Sequence, residues 1–382
     1  MSDPVPGVFI EETSSGARPI DPVSTSTAGI VGATLVGPND GKPRLVTSFA
    51  EFERDFGGVE PLTLNGVETP NYVAHAARAF FGNGGRRLWV QRVAGVEAIT
   101  VETLTAALAV LEHVDEISIV MMPDMARLDA GSMINAATAL IARCERRGDR
   151  IALIDPPKNS TIADVRRFRA NFDSSYAALY YPWVVTVDAA PVVVPPSGFV
   201  AGIYARVDGV RGVHKAPANE LVNGIAGFES AVTSSGQEML NPDGINALRS
   251  FVGRGNRVWG ARTLSNDPEW TYVNVRRLFV YLENSIDRST RWVVFEPNDE
   301  PLWRRIRSTV EDFLSASWRD GALVGSKQEE AFFVRCDRST MTQDDLDNGR
   351  LVCLVGVATV RPAEFVIFRI GQLTADARAT NG

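Results

Sequence analysis

The chain has 382 residues, 45% of them apolar, enough for two or three domains with sizeable cores. Its 39 basic and 46 acidic residues leave a net charge of −7, which argues against general nucleic-acid binding. Three cysteines and three histidines, scattered singly, imply neither a zinc site nor a disulfide framework, and the thiols read as reduced and mostly buried.

Val5-Pro6-Gly7-Val8-Phe9-Ile10-Glu11-Glu12 is a short apolar strand with no neighbour in sequence to pair with. A lone strand needs a ladder for its backbone donors and acceptors. It hangs on a polar tether, residues 13–27, that would span about 50 Å if extended at about 3.3 Å per residue. Met1-Ser2-Asp3-Pro4 lacks the basic and apolar regions of a secretory signal, and no apolar run approaches the about 20 residues of a membrane span. The chain is therefore expected to need no membrane insertion.

Ala28 to Ala33 reads as a buried strand. Ser48 to Phe56 reads as a helix capped by Ser48, with Phe49, Phe52 and Phe56 on one face. Tyr72 to Phe81 is an Ala-rich helix stopped by Gly82-Asn83-Gly84-Gly85. Strands at 87–93, 117–122, 151–154 and 184–187 alternate with helices at 103–111, 131–147 and 161–169. That alternation predicts an α/β layer with a largely parallel sheet. A loop-rich stretch is expected from Pro191 to Gly244, followed by an α+β order. Helices are expected at 270–286 and 302–318, the second with Leu302, Ile306, Val310, Phe313 and Leu314 on one face and Asn298 as N-cap. Strands at 331–336, 351–360 and 365–370 close the series.

Catalytic signatures are hard to find. Gly82-Asn83-Gly84-Gly85 and Gly253-Arg254-Gly255 fit neither a dinucleotide-binding fingerprint nor a P-loop. Asp344 to Gly349 has Leu346 where a calcium loop needs an oxygen ligand, so it reads as a solvated turn after a Thr342 cap. No nucleophile elbow is present, and the adjacent carboxylates Glu11-Glu12 and Glu329-Glu330 point to opposite faces of a strand. The sequence predicts no cofactor, no metal and no catalysis.

A family likeness runs through Asn241 to Asn246, Gly253 to Leu264, Glu269 to Leu278, Val294-Phe295-Glu296-Pro297-Asn298, Gln343 to Gly349 and Arg361-Pro362-Ala363-Glu364-Phe365-Val366. Pro6 to Glu12, Phe80 to Gly85, Asp155-Pro156-Pro157, Tyr181-Pro182-Trp183, Pro195 to Gly198 and Ala216 to Asn219 agree with it in order. This series resembles the sheath protein of contractile phage tails and related injection systems.

The resemblance implies an α/β outer domain plus an α+β inner domain whose mixed sheet is completed by the N- and C-terminal arms of neighbouring subunits. The implied division is an arm and tether at 1–27, an outer domain at 28–244, an inner domain at 245–361 and a C-terminal arm at 362–382. Val8, Phe9, Ile10 and Glu11, with Phe365, Val366, Ile367 and Phe368, would be the donated strands. Phe332, Phe333, Val334, Leu351, Cys353 and Val355 would receive them. Arg276, Arg277, Arg304, Arg305 and Arg307 are candidates to face the tube, with an ordinary solvated helix face as the alternative.

The implied partners are further copies in hexameric rings, an inner tube protein, and baseplate and terminator proteins. Assembly is expected in the bacterial cytoplasm, with release by lysis or as part of a particle. Contraction would store its energy in subunit packing and hydrolyse no nucleotide. A static shell, or an α/β enzyme with a nucleotide-like crevice in residues 28–190, stays open to the residues alone.

Overall fold

The computed structural model describes residues 19–38, 40–64, 66–93 and 99–364. Strands β1 (Ala28–Gly32) and β2 (Arg44–Val46) precede helix α1 (Phe49–Phe56). The Ser48 hydroxyl accepts from the Glu51 amide at 3.2 Å, and Phe52 and Phe56 turn inward as the spacing predicts. A hairpin of β3 (Leu62–Leu64) and β4 (Val67–Thr69) leads to α2 (Tyr72–Gly82), β5 (Leu88–Arg92) and α3 (Val101–Leu111). Then come β6 (Ile119–Met121), α4 (Ala130–Arg147), β7 (Ile151–Ile154) and α5 (Ile162–Arg169). Asp129 caps α4, and Gly148, at φ 67°, ends it in the left-handed conformation that glycine adopts without strain.

The next stretch departs from expectation. The parallel strand that follows α5 is β8 (Ala177–Tyr181), not the run near Val184. Instead β9 (Val184–Thr186), β10 (Val193–Val194) and β12 (Ile225–Phe228) make a separate antiparallel sheet, with the short β11 (Glu220–Leu221) between the last two in sequence. The stretch expected to be loop-rich holds α6 (Ser197–Arg211), buried from Ser197 to Ala205 and exposed at its C-terminal end. Its glycines explain the miss, because they weaken a helix in isolation. Here they let it approach α2: a Cβ at Gly198 would lie 2.4 Å from the Ala76 Cα, and one at Gly202 2.4 Å from the Phe80 carbonyl oxygen.

After α7 (Ser234–Leu240), β13 (Ile245–Phe251) and β14 (Gly255–Val258) finish one nine-stranded mixed sheet, in the order β11-β14-β13-β8-β7-β6-β1-β5-β2. The six strands from β13 to β5 run parallel, and β2, β14 and β11 add antiparallel edges. The sheet therefore runs past residue 244, where a boundary was expected. Its central strands β1, β6, β7 and β8 are buried on both faces. Ile119, Met121 and Leu153 pack with α1, α2 and α6 on one side, whereas Val120, Ala152 and Ile154 pack with α3, α4 and α5 on the other.

A third apolar cluster lies beyond the sheet. It joins α8 (Val273–Thr290), α9 (Glu300–Arg319) and the hairpin-like pair β15 (Phe332–Arg335) and β16 (Leu354–Val357). Leu302, Ile306, Val310, Phe313 and Leu314 face it as expected. Asp299, rather than Asn298, caps α9, while the Asn298 side-chain oxygen accepts from Trp303 Nε1 at 2.7 Å. Asp344 to Gly349 overlaps a short helix, Gln343–Asp347, capped by Thr342.

Candidate assembly surface

The small sheet of β15 and β16 has two strands among the described residues. β15 alternates, with Phe332 and Val334 buried against the α9 cluster and Phe333 and Arg335 exposed. It pairs antiparallel with β16 in the register Phe332↔Val357 to Arg335↔Leu354. Phe333 lies across Gly356, where an added Cβ would come 2.2 Å from the ring. The chain at 322–324 then takes over from β15, since the Val324 amide donates to the Ala358 carbonyl at 2.8 Å. Among the described residues no other strand pairs with β15 or β16, so both outer edges are open. Of the expected acceptor residues, Phe332, Phe333 and Val334 sit in β15 and Val355 in β16, while Leu351 and Cys353 precede β16. The expected strand 351–360 is thus shorter than its apolar run. The arm residues Val8 to Glu11 and Phe365 to Phe368 lie outside the described residues.

Residues 20–25 and 360–364 lie against α8 and the segment just before it. Residues 19–27, expected as free tether, are fastened: Ile20 enters the third cluster, the Asp21 amide donates to Ser289 Oγ at 3.0 Å and the Val23 amide to Ser285 Oγ at 3.1 Å. The Thr25 carbonyl accepts from Arg277 at 2.8 Å. On the C-terminal side Asn274 Nδ2 donates to the Val360 carbonyl at 3.1 Å. Arg262 forks onto Glu364, with Nε 3.0 Å from Oε1, and the Tyr272 hydroxyl reaches the same carboxylate at 3.3 Å. That carboxylate raises the pKa of Arg262, against partial burial. Side chains of α8 and of the segment just before it therefore hold residues 20–25 and 360–364 in place. Sequence reasoning missed Asn274, Arg262 and Glu364 in this role, although all three lie inside the strings that carry the family likeness.

The five candidate arginines split into two groups. Arg276 and Arg277 are buried and cannot present charge to a partner, which corrects the expectation that they face outward. Arg276 stacks on Trp270, 3.4 Å from guanidinium carbon to ring centre, and donates to Ser175 Oγ at 3.0 Å; burial lowers its pKa. Arg277 makes a two-pronged bond to Asp208 at 2.9 and 2.6 Å over the Tyr204 ring. Arg304 and Arg305 are exposed, and Arg307 is half-exposed, 4.0 Å from Glu311. Among the described residues there is no group of three or more His, Cys, Asp or Glu placed to hold a metal ion. None of the helices described is long and apolar enough to cross a membrane.

Residues 97–264 match the phage tail sheath protein central domain, and residues 265–372 match the phage tail sheath C-terminal domain. The fold is similar to a chain in the helical sheath of the anti-feeding prophage in its contracted state, with 33% identity, 97% of this chain and 100% of that chain covered, and a TM-score of 0.79. A chain of the contracted sheath complex of an extracellular contractile injection system, PVC, is 32% identical over 98% of this chain and 99% of its own, with a TM-score of 0.77. The tail sheath protein of Escherichia phage P2 is 24% identical over 342 residues, 84% of each chain. The two sheath domains together take in most of the chain, and the likeness to contracted sheaths extends over nearly all of it: the chain belongs to the phage tail sheath family, the structural subunits of contractile tails and injection systems.

Proposed function

We propose that this subunit polymerises as stacked hexameric rings around an inner tube, with arms exchanged between neighbours, and contracts to drive that tube through a target envelope. The observation that carries the reading is the pair of open edges on β15 and β16. Two strands alone are marginal in water, and an unpaired edge accepts an incoming strand. In the assembly, Val8 to Glu11 of one neighbour and Phe365 to Phe368 of another add to the two edges by strand addition. The anchors at Thr25, Val360 and Glu364 support this, because they fix where each arm leaves its own subunit.

In this reading residues 1–27 and 362–382 are the arms, the mixed-sheet region is the outer domain, and the part from α8 to residue 361 is the inner domain. The arms act as hinges and the packed domains as rigid moving bodies. The exposed Arg304, Arg305 and Arg307 meet acidic groups on the tube through ion pairs weak enough to release. Baseplate and terminator proteins bound the polymer. It assembles in the bacterial cytoplasm and serves as a structural part, not a catalyst.

The test is deletion of residues 1–18, and separately of 365–382, followed by gel filtration and negative-stain microscopy. Folded, soluble single subunits that build no cylinders are expected. Normal cylinders from either shortened protein would overturn the arm-exchange reading.

A further inference from the structure

The third cluster holds two cysteines that no local sequence pattern connects. The ladder of β15 and β16 ends at Arg335↔Leu354, so the next facing pair is Cys336 and Cys353. The kind of pair follows from the bonds. The Ala358 amide donates to the Ala331 carbonyl at 2.8 Å, which makes Ala331 and Ala358 a hydrogen-bonded pair. Alternation along an antiparallel ladder then makes Arg335 and Leu354 hydrogen-bonded too, and Cys336 and Cys353 the closer, non-hydrogen-bonded kind. Such partners have Cα atoms roughly 4.5 Å apart, inside the span of about 4.4–6.8 Å that a disulfide bridges. Both side chains point to the inner face with Phe332, Val334, Val355 and Val357, beneath α9. The two thiols interact across this pair, which lowers the pKa of Cys353 and raises that of Cys336. Cys336 is buried and Cys353 half-buried, whereas Cys144 lies alone in the outer domain with its thiol pushed up to about 12 by burial.

We propose that Cys336 and Cys353 form a redox-reversible cross-strand disulfide that staples β15 to β16. The reaction partner is a small-molecule disulfide. Cys353, the more accessible and more acidic thiol, attacks as its thiolate, forming a mixed disulfide and releasing one small thiolate. The Cys336 sulfur then attacks the Cys353 sulfur, forms the cross-strand bond and expels the second small thiolate. The two protein thiols are oxidised, the small disulfide is reduced to two thiols, and the two protons pass to them. The bond closes the loop from Asp337 to Val352 and so restricts opening of the small sheet. Reducing conditions keep the pair as thiols, and an oxidising medium closes the staple. That this stiffens the arm-receiving sheet rests on the reading above; the bond itself does not.

The test incubates the full-length protein with oxidised glutathione, caps remaining thiols, and maps peptides by mass without reduction. The expected result is an intrachain link between the Cys336 and Cys353 peptides, with Cys144 capped. Hydrogen exchange at residues 332–335 and 354–357 should slow by tenfold or more relative to the reduced protein. Cys353→Ser, at the half-buried position, should abolish both changes. Capped Cys336 and Cys353 after oxidation, or a link through Cys144 or between chains, would overturn the proposal. So would a 336–353 link that leaves exchange unchanged. Cylinders formed normally by the arm-deleted proteins would remove the acceptor role, whereas the linked peptide and slowed exchange would still establish the staple.

Discussion

The Arg277–Asp208 pair gives the sharpest energetic expectation. Both groups are fully buried, they share a two-pronged bond at 2.9 and 2.6 Å, and Tyr204 covers the guanidinium at 4.7 Å. Burial works against the charge on Arg277, yet Asp208 outweighs it and holds the pKa above the usual arginine value. At a charge separation of about 4 Å and an effective dielectric near 20, the attraction is about 4 kcal/mol. Asp208→Leu leaves the guanidinium buried without its counter-charge, so it should destabilise the subunit by about 3–5 kcal/mol, and Arg277→Met by a similar amount. Replacing both with apolar side chains removes the uncompensated charge. The Arg277→Met/Asp208→Leu double variant should lose only about 1–2 kcal/mol, part of it the bond to the Thr25 carbonyl. Urea unfolding of dilute subunits, followed by tryptophan fluorescence, reads all four proteins. A double variant less damaged than either single one, with non-additivity of at least about 3 kcal/mol, is the expected signature. Single variants that each lose under about 1 kcal/mol, or a strictly additive double variant, would refute the reasoning.

Helix α6 offers a paired contrast. Gly202→Ala drives a Cβ into the Phe80 carbonyl and should destabilise by about 1–3 kcal/mol, whereas Gly209→Ala, with nothing within 4 Å, should stabilise by up to about 1 kcal/mol; equal effects in thermal melts would rule out close α2–α6 contact as the reason for glycine. His75 lies near Arg78 and Asp188, and burial, then Arg78, lowers its pKa to about 4. Because the unfolded chain takes up that proton first, His75 subtracts stability as pH falls from about 6.5 to about 4, by up to about 3 kcal/mol. Asp155, held by Ser197 and raised to about 7 by its burial, tilts the same window the other way: its contribution is complete below about 4 and is lost as pH rises through about 7. His75→Gln should therefore gain stability relative to the parent on going from pH 7 to pH 4, and parallel stability curves would contradict this. Charge reversal at Arg304 and Arg305 should weaken co-sedimentation with the tube at low salt; unchanged co-assembly removes those two arginines from the interface.

Much of the local structure was legible. The cap at Ser48, the Gly82-Asn83-Gly84-Gly85 stop of α2, the buried strands β1 and β7, and the inward stripe of α9 each depend on residues a turn or two apart, and that spacing is written in the chain. Misreadings arose where the deciding partner is distant. Two apolar runs, Ala177 to Tyr181 and Val184 to Thr186, look alike as strings, but only the first joins the parallel sheet, because only it lies against β7 and β13. α6 carries glycines that read as loop until α2 is brought against them.

The same reasoning sorts the candidate surface. Hydrophobic period and family strings indicated the segments 331–336 and 351–360, which hold β15 and the shorter β16. They could not say that adjacent arginines on one helix would be buried, one on Trp270 and one on Asp208, because a charged side chain stays in water unless a remote partner compensates it. Nor could they bring Cys336 opposite Cys353 or Glu364 onto Arg262, since register and long-range ion pairs arise only when separate segments meet. Local order is encoded locally, while exposure, charge pairing and the open edges of the small sheet were decided by three-dimensional packing.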